Sequence, residues 1–253
     1  MEETIRTLER RAFAAWPALE TVCDDGWVLR FADGYTKRAN SANALAPARR
    51  PPDEVIADIE AAYAKRGLPP IFRITPLADP AIDAALDLRG YRRFDDSLVM
   101  AATMDAARMA PDIAAAATPH DGWLDAFVAA AQASRQTRDK LAALLAAQAP
   151  RALFARLGDA AFGMAAVEAG YVGIFEILSV PAARRRGHAK RLVAHLMEWG
   201  AANGARTAYL QVAATNAPAL ALYAALGFSA VYGYHYRLPE KKTAVGARPT
   251  AAK

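Results

Sequence analysis

The residues best suited to chemistry stand in the segment "PAARRRGHAKRL", positions 181–192. Arg184, Arg185, Arg186 and Lys190 crowd positive charge around Gly187. Behind that glycine, Ala189, Leu192, Val193, Leu196, Met197 and Gly200 recur at the period of a helix packed on a sheet. A helix N-terminus leaves backbone N–H groups without partners and carries partial positive charge, so it attracts anions. A glycine at position 187 lets an anion approach the backbone with no Cβ in the way, and the small Ala189 helps. The strand "YVGIFEILSV" feeds this loop. Strand, glycine loop and helix together make a cradle for a pyrophosphate, with His188 contributing its backbone more than its ring. The segment is neither a Walker loop nor a dinucleotide fingerprint, because GxxxxGK[ST] and GxGxxG are both absent. A nucleic-acid patch is the rival reading, but interleaved aromatics and a second basic stripe are missing.

Two further side chains stand out. Glu176 lies in the feeding strand, where alternation predicts that it shares a face with Val172, Ile174, Leu178 and Val180. A carboxylate among apolar neighbours is costly without a partner or a task. Tyr223 lies in "NAPALALYAALG", a short helix that Asn216 is placed to cap. The four histidines, His120, His188, His195 and His235, have no metal-ligand spacing, so no metal is expected. Cys23 is the only cysteine and sits beside Asp24 and Asp25, which suits a structural role.

These residues need elements to position them. Helical periodicity marks "TIRTLERRAFAAW", "PPDEVIADIEAAYAKRG", "PAIDAALDLRG", "WLDAFVAAAQAS" and "TRDKLAALLAAQA". Strands are expected at "PIFRIT", "YRRFDDSLVMAATM", "RALFARL", "AAFGMAAVEA", "RTAYLQVA" and "FSAVYGYHYRL", and two more in "GWVLRFADGYTKRANS" around its DG turn. The segment 106–120 has no sheet pattern and reads as a connector. Each half ends as long helix, glycine, strand, short helix, Gly-aromatic, long strand. Gly67 and Gly204 stand as far apart as Gly90 and Gly227, which points to an internal duplication. The same offset sets "PARRPPDE" against the cradle and Leu86 against Tyr223. Pro51 and Pro52 remove N–H donors there, and Asp53 and Glu54 repel an anion. The N-terminal half therefore reads as degenerate, with Trp27, Tyr35, Arg38, Asn40 and Ser41 as candidates for a pocket wall.

The whole chain bounds the answer. It has 253 residues, 54% of them apolar and 23% charged, with a net charge of +5. That describes a folded α/β protein with a mild preference for anionic ligands. A lone cysteine excludes an intramolecular disulfide. The charged N-terminus has no apolar core of a signal peptide, and no apolar run reaches the ~20 residues of a membrane span. A cytoplasmic location and no membrane partner are the expectations. The polar tail 240–253 is expected to be loose.

Residues 170–237 resemble the core of the GNAT superfamily of acyl-CoA-dependent N-acetyltransferases. The resemblance rests on "LSVPAARRRGHA" with its Arg184-x-x-Gly187-x-Ala189 signature, on "YLQV", and on "NAPALALYAALGF" with Asn216, Tyr223 and Gly227-Phe228. The whole chain resembles tandem GNAT proteins, in which an active C-terminal domain follows a degenerate one carrying a "GW…GYTKRANS"-like segment. The resemblance implies an α/β fold of mixed, mostly antiparallel sheets flanked by helices. It also implies two GNAT-like domains in tandem, at 1–105 and 121–239. Acetyl-CoA is the implied cosubstrate, held by Arg184 to Lys190, by the backbone of Ile177, Leu178 and Ser179, and by Asn216 and Tyr223. Direct acetyl transfer to a primary amine needs a neutral nucleophile, a donor to the oxyanion and a proton for the leaving thiolate. The resemblance places Tyr223 at the sulfur as the acid. Glu176 is the best base, and Gln211 stands where many members carry a glutamate. The acceptor is expected to be a small-molecule or peptide amine, with no nucleic-acid partner, in a monomer or homodimer. The rival functions are a non-catalytic CoA sensor and a basic nucleic-acid-binding module.

Overall fold

A computed structural model describes residues 1–104, 113–118, 121–146 and 151–240. The N-terminal half runs α1 (Glu2–Ala15), β1 (Glu20–Asp24), β2 (Trp27–Phe31), β3 (Ala42–Ala44), α2 (Pro52–Ala64), β4 (Phe72–Ile74), α3 (Pro80–Leu88) and β5 (Tyr91–Thr103). The short strand β6 (Ala114–Ala116) follows. The C-terminal half runs α4 (Asp121–Ala130), α5 (Arg135–Ala146), β7 (Ala152–Leu157), β8 (Ala161–Glu168), β9 (Tyr171–Ser179), α6 (His188–Ala202), β10 (Thr207–Ala213), α7 (Ala217–Ala224) and β11 (Ser229–Pro239).

The expected mixed α/β architecture, mostly antiparallel and flanked by helices, is present, with one sheet in place of two. The described strands form one 11-stranded sheet in the order β1-β2-β3-β4-β11-β5-β10-β9-β8-β7-β6. The two halves exchange their last strands. β5 leaves the N-terminal half to lie between β10 and β11, and β11 lies between β4 and β5. These two strands pair antiparallel from Ser229–Ala101 to Pro239–Tyr91, so the halves share a continuous ladder at the sheet's centre. Among the described strands, β3–β4 and β9–β10 are parallel and the other pairs antiparallel. Within the segment read as a connector, Ala114–Ala116 pairs with β7 as an edge strand. Three small residues carry no alternation, so sequence offered no strand signal. β1, likewise unforeseen, is a largely exposed edge strand on β2. Most of the tail, 241–253, lies outside the described residues.

Helices cover both faces. Leu192, Val193 and Leu196 of α6 pack with Val172, Ile174, Ala208 and Leu210. Gly200 allows this close seat: a Cβ there would fall 2.7 Å from Val172 Cβ. On the opposite face, α1, α4 and α5 bury Leu8, Ala12, Trp123, Phe127 and Leu141 with Phe162, Met164 and Phe175. α1 thus belongs to the first half by sequence and covers strands of the second. α2 and α3 close a third cluster around Trp27, Phe31 and Phe72, in which Leu86 is fully buried.

Candidate active site

Pairing between β9 and β10 stops at Ile174 and Leu210. Beyond that point β9 stays bonded to β8, and β10 to β5. The two parallel strands therefore diverge, leaving one backbone edge of residues 175–179 without a neighbouring strand. The gap is a cleft of about 770 Å³. Its walls hold Glu176, Ile177, Leu178 and Ser179 from β9, and Arg184, Arg185, Gly187, His188, Ala189 and Lys190 from the loop and α6. The far wall holds Gln211 from β10, with Asn216 and Tyr223 from the α7 segment. Of the predicted cofactor-binding residues, Arg186 alone is outside this lining; it is exposed to solvent.

Gly187 precedes α6 with φ +78°, a left-handed conformation that an L side chain resists. Nothing lies within 4 Å of a Cβ built there, so the space before the helix is open. The first backward bond of α6 runs from Arg191 N–H to Gly187 O at 3.0 Å. The earlier N–H groups, of His188, Ala189 and Lys190, have no intrahelical acceptor and form the anion-attracting end. Donors, open space and surrounding cations fit the pyrophosphate of a CoA molecule.

Asn216 caps α7 by accepting from Ala219 N–H at 3.2 Å. Tyr223 is buried, its ring edge-on to Phe228 at 5.9 Å. Burial alone pushes its phenol up to about 12, so it keeps its proton at neutral pH and can act as a donor.

The face expected for Glu176 is corrected in part. The β8–β9 register shifts between Phe162–Leu178 and Met164–Phe175, so Glu176 and Ile177 together oppose Gly163. Glu176 takes φ +52° at this bulge. Strand alternation breaks there: Ile174 and Ile177 join the α6 core, while Phe175 and Leu178 join the opposite one. Glu176 therefore does not stand with Val172 and Ile174. Its Oε1 accepts from Arg38 Nη2 at 2.6 Å. The Arg38 guanidinium lies 5.0 Å from the Trp16 ring and 5.9 Å from the Phe175 ring. Burial opposes its charge, and the Glu176 carboxylate with the Tyr234 and Tyr236 phenols together more than offset this, raising its pKa.

A second lobe, about 510 Å³, shares Arg38, Gln211, Val212 and Ala213 with the first. It adds Lys37, Asp95, Ser97, Tyr234 and Tyr236. Tyr234 Oη donates to Gln211 Oε1 at 3.0 Å. Asp95 sits at another bulge, where Asp95 and Asp96 oppose His235, and takes φ +58°. Sequence reasoning missed this lobe except for Arg38 and Gln211. The consecutive polar residues "DDS" in the middle of β5 were its local trace. The other wall candidates have structural duties. Trp27 packs on Phe72, Ser41 lies beside Asn43, and half-buried Tyr35 packs on the core. Asn40 holds its turn by accepting from Ala32 and Gly34 and donating to Tyr35 O and Thr36 O. His120 lies outside the described residues.

Comparison with known proteins shows that this protein is a GNAT N-acetyltransferase. The chain is 29% identical over 246 residues to the uncharacterized N-acetyltransferase YobR of Bacillus subtilis, covering 93% of this chain and 99% of that protein. Its fold matches a GCN5-related N-acetyltransferase from Kribbella flavida with a TM-score of 0.68 at 16% identity, covering 95% and 96% of the two chains. It also matches a tandem GNAT protein from the clavulanic acid biosynthesis pathway, with a TM-score of 0.60 at 13% identity, covering 91% and 86%. Within the superfamily, the chain belongs to the family described as probable histone acetyltransferase Rv0428c C-terminal, whose model matches residues 3–237. Among the described residues, no helix is long and apolar enough to cross a membrane.

Proposed function

We propose that this protein uses acetyl-CoA to acetylate a primary amine directly, at a single site in its C-terminal half. The observation that carries the reading is the cleft between diverging β9 and β10, with the α6 N-terminus at one end and Tyr223 in its wall. Bound there, acetyl-CoA supplies the thioester whose C–S bond breaks as the new C–N bond forms. The α6 N–H groups, with Arg184, Arg185 and Lys190, hold the anionic end. The free backbone edge at Ile177, Leu178 and Ser179 holds the amide-bearing arm. Tyr223 Oη holds a proton for the leaving sulfur. Glu176, oriented by Arg38, takes a proton from the incoming ammonium. The acceptor enters from the second lobe, whose walls come from both halves. We place the domains at 1–105 and 121–239, with the first as scaffold and acceptor wall.

Isothermal titration calorimetry with acetyl-CoA, and separately with a duplex oligonucleotide, tests this reading. One acetyl-CoA per chain is expected, and no duplex binding. Thiol release with an amine panel then separates an enzyme from a CoA sensor. Failure to bind acetyl-CoA overturns the proposal, and two molecules per chain would mean that the N-terminal half is active.

A further inference from the structure

The second lobe carries its charge in an unusual arrangement. Lys37 Nζ meets Asp95 Oδ2 at 2.6 Å, and Arg38 Nη2 meets Glu176 Oε1 at 2.6 Å. The two cations are neighbours in one short turn, Lys37–Ala39. The two carboxylates come from separate strand bulges on different sides. Both cations are anchored over rings: Lys37 near Phe94 and Tyr236 at 5.2 and 5.5 Å, and Arg38 near Trp16 and Phe175. Neither carboxylate can therefore be freed by swinging its cation away without losing ring contacts as well.

Beneath Arg38 the floor is more positive still. A small crevice there is lined by Arg30, Arg38 and Arg73 and touches Gln211. Arg73 is 2% exposed; it pairs with buried Glu9, yet its Nε and Nη2 have no hydrogen-bond partner. Arg30 is buried as well, donating to the backbone carbonyls of Arg38, Phe13 and Trp16. Three guanidinium groups thus face the carboxylates of Glu9 and Glu176, which leaves a positive excess under the lobe.

Resting on the acetyl-transfer reading above, we infer that the acceptor is a small zwitterion, an amine and a carboxylate on one short skeleton, as in an amino acid. Such a ligand joins the two ion pairs without displacing either cation from its rings. Its carboxylate lies on Lys37 and Arg38 above the arginine floor. Its ammonium faces Glu176, at the junction where Arg38 and Gln211 line both lobes. A polyamine or lysine-rich tail would place extra positive charge against two fixed cations. A polyanion would meet Asp95 and Glu176. Each finds groups of its own sign beside those of the opposite one, whereas a zwitterion matches both signs at once.

The test uses the full-length protein and acetyl-CoA, with thiol release as the readout. The acceptors are a panel of α-, β- and γ-amino acids and dipeptides, the carboxamide of each, spermidine, and a lysine-rich peptide. Each carboxamide keeps the amine and loses the carboxylate. At least one amino acid or dipeptide is expected to turn over, with kcat/KM about 10- to 100-fold above its carboxamide, the range of a charge-assisted hydrogen bond. Lys37→Gln, a partly exposed position, and Arg38→Gln should both narrow that ratio. Turnover of spermidine, the peptide or a carboxamide at or above every zwitterion overturns the inference, as does no zwitterion turnover in a protein that binds acetyl-CoA. Failure to bind acetyl-CoA in calorimetry instead removes the acetyl-transfer reading itself.

Discussion

Substituting Gly187 separates the strain of a backbone from the exclusion of a ligand. At φ +78° any L residue costs about 1–2 kcal/mol, because its Cβ crowds the following carbonyl. With nothing within 4 Å of the added atom, no clash adds to this. In a chain of this length that cost lowers Tm by roughly 2–8 °C. Gly90 is a matched control: its φ is +76°, nothing lies within 4 Å of its added Cβ, and it is outside the cleft. Gly187→Ala and Gly90→Ala should therefore destabilise the free protein alike, as read by thermal denaturation. Only the former should weaken CoA binding. Gly187→Glu adds a negative charge as well. A unit charge ~5 Å from a phosphate, at an effective dielectric of ~20, costs about 3 kcal/mol. That is roughly two orders of magnitude in Kd, measurable by calorimetry with CoA. A wild-type Kd for Gly187→Glu would refute the cradle. So would an equal loss of affinity in Gly90→Ala, since strain alone would then explain the effect.

The remaining expectations concern protons and the buried core. Tyr223→Phe should lower kcat by about 100-fold or more while acetyl-CoA affinity stays near wild type; steady-state kinetics paired with calorimetry decides, and near-normal turnover makes Tyr223 a packing residue. Glu176→Gln keeps an oxygen for Arg38 but loses the charge that can take a proton, so kcat should fall about 100-fold while acetyl-CoA affinity stays near wild type; near-normal turnover moves the base elsewhere. Arg73→Leu strands Glu9, which is fully buried with only Tyr232 Oη still donating to it, and should cost about 3–5 kcal/mol in denaturant unfolding. The Glu9→Leu/Arg73→Leu double variant should recover most of that loss, and a double variant no better than the single would show that the pair matters for more than charge balance.

What the sequence determined by itself was local. The apolar period of α6, the glycine before it and the basic residues around that glycine are all contained within 181–200, because helix packing and terminal N–H groups depend on near neighbours. The Asn216 cap is equally local, spanning three residues. The order of elements in the two halves followed from period and punctuation, and the expectation of an anion cradle at the start of α6 from its glycine and unpaired N–H groups. The exchange of β5 and β11 did not, since pairing between strands so far apart along the chain leaves no mark in either strand alone. The environment of Glu176 shows the limit most clearly. Alternation assigned it to one face, but a single extra residue opposite Gly163 turned it toward another. Its partner, Arg38, is 138 positions away and belongs to the other half. The second lobe was hidden for the same reason: Lys37, Asp95, Gln211 and Tyr234 converge only when the central strands cross between halves. Sequence periodicity records which face a residue prefers, whereas register, bulges and strand exchange decide what it meets there.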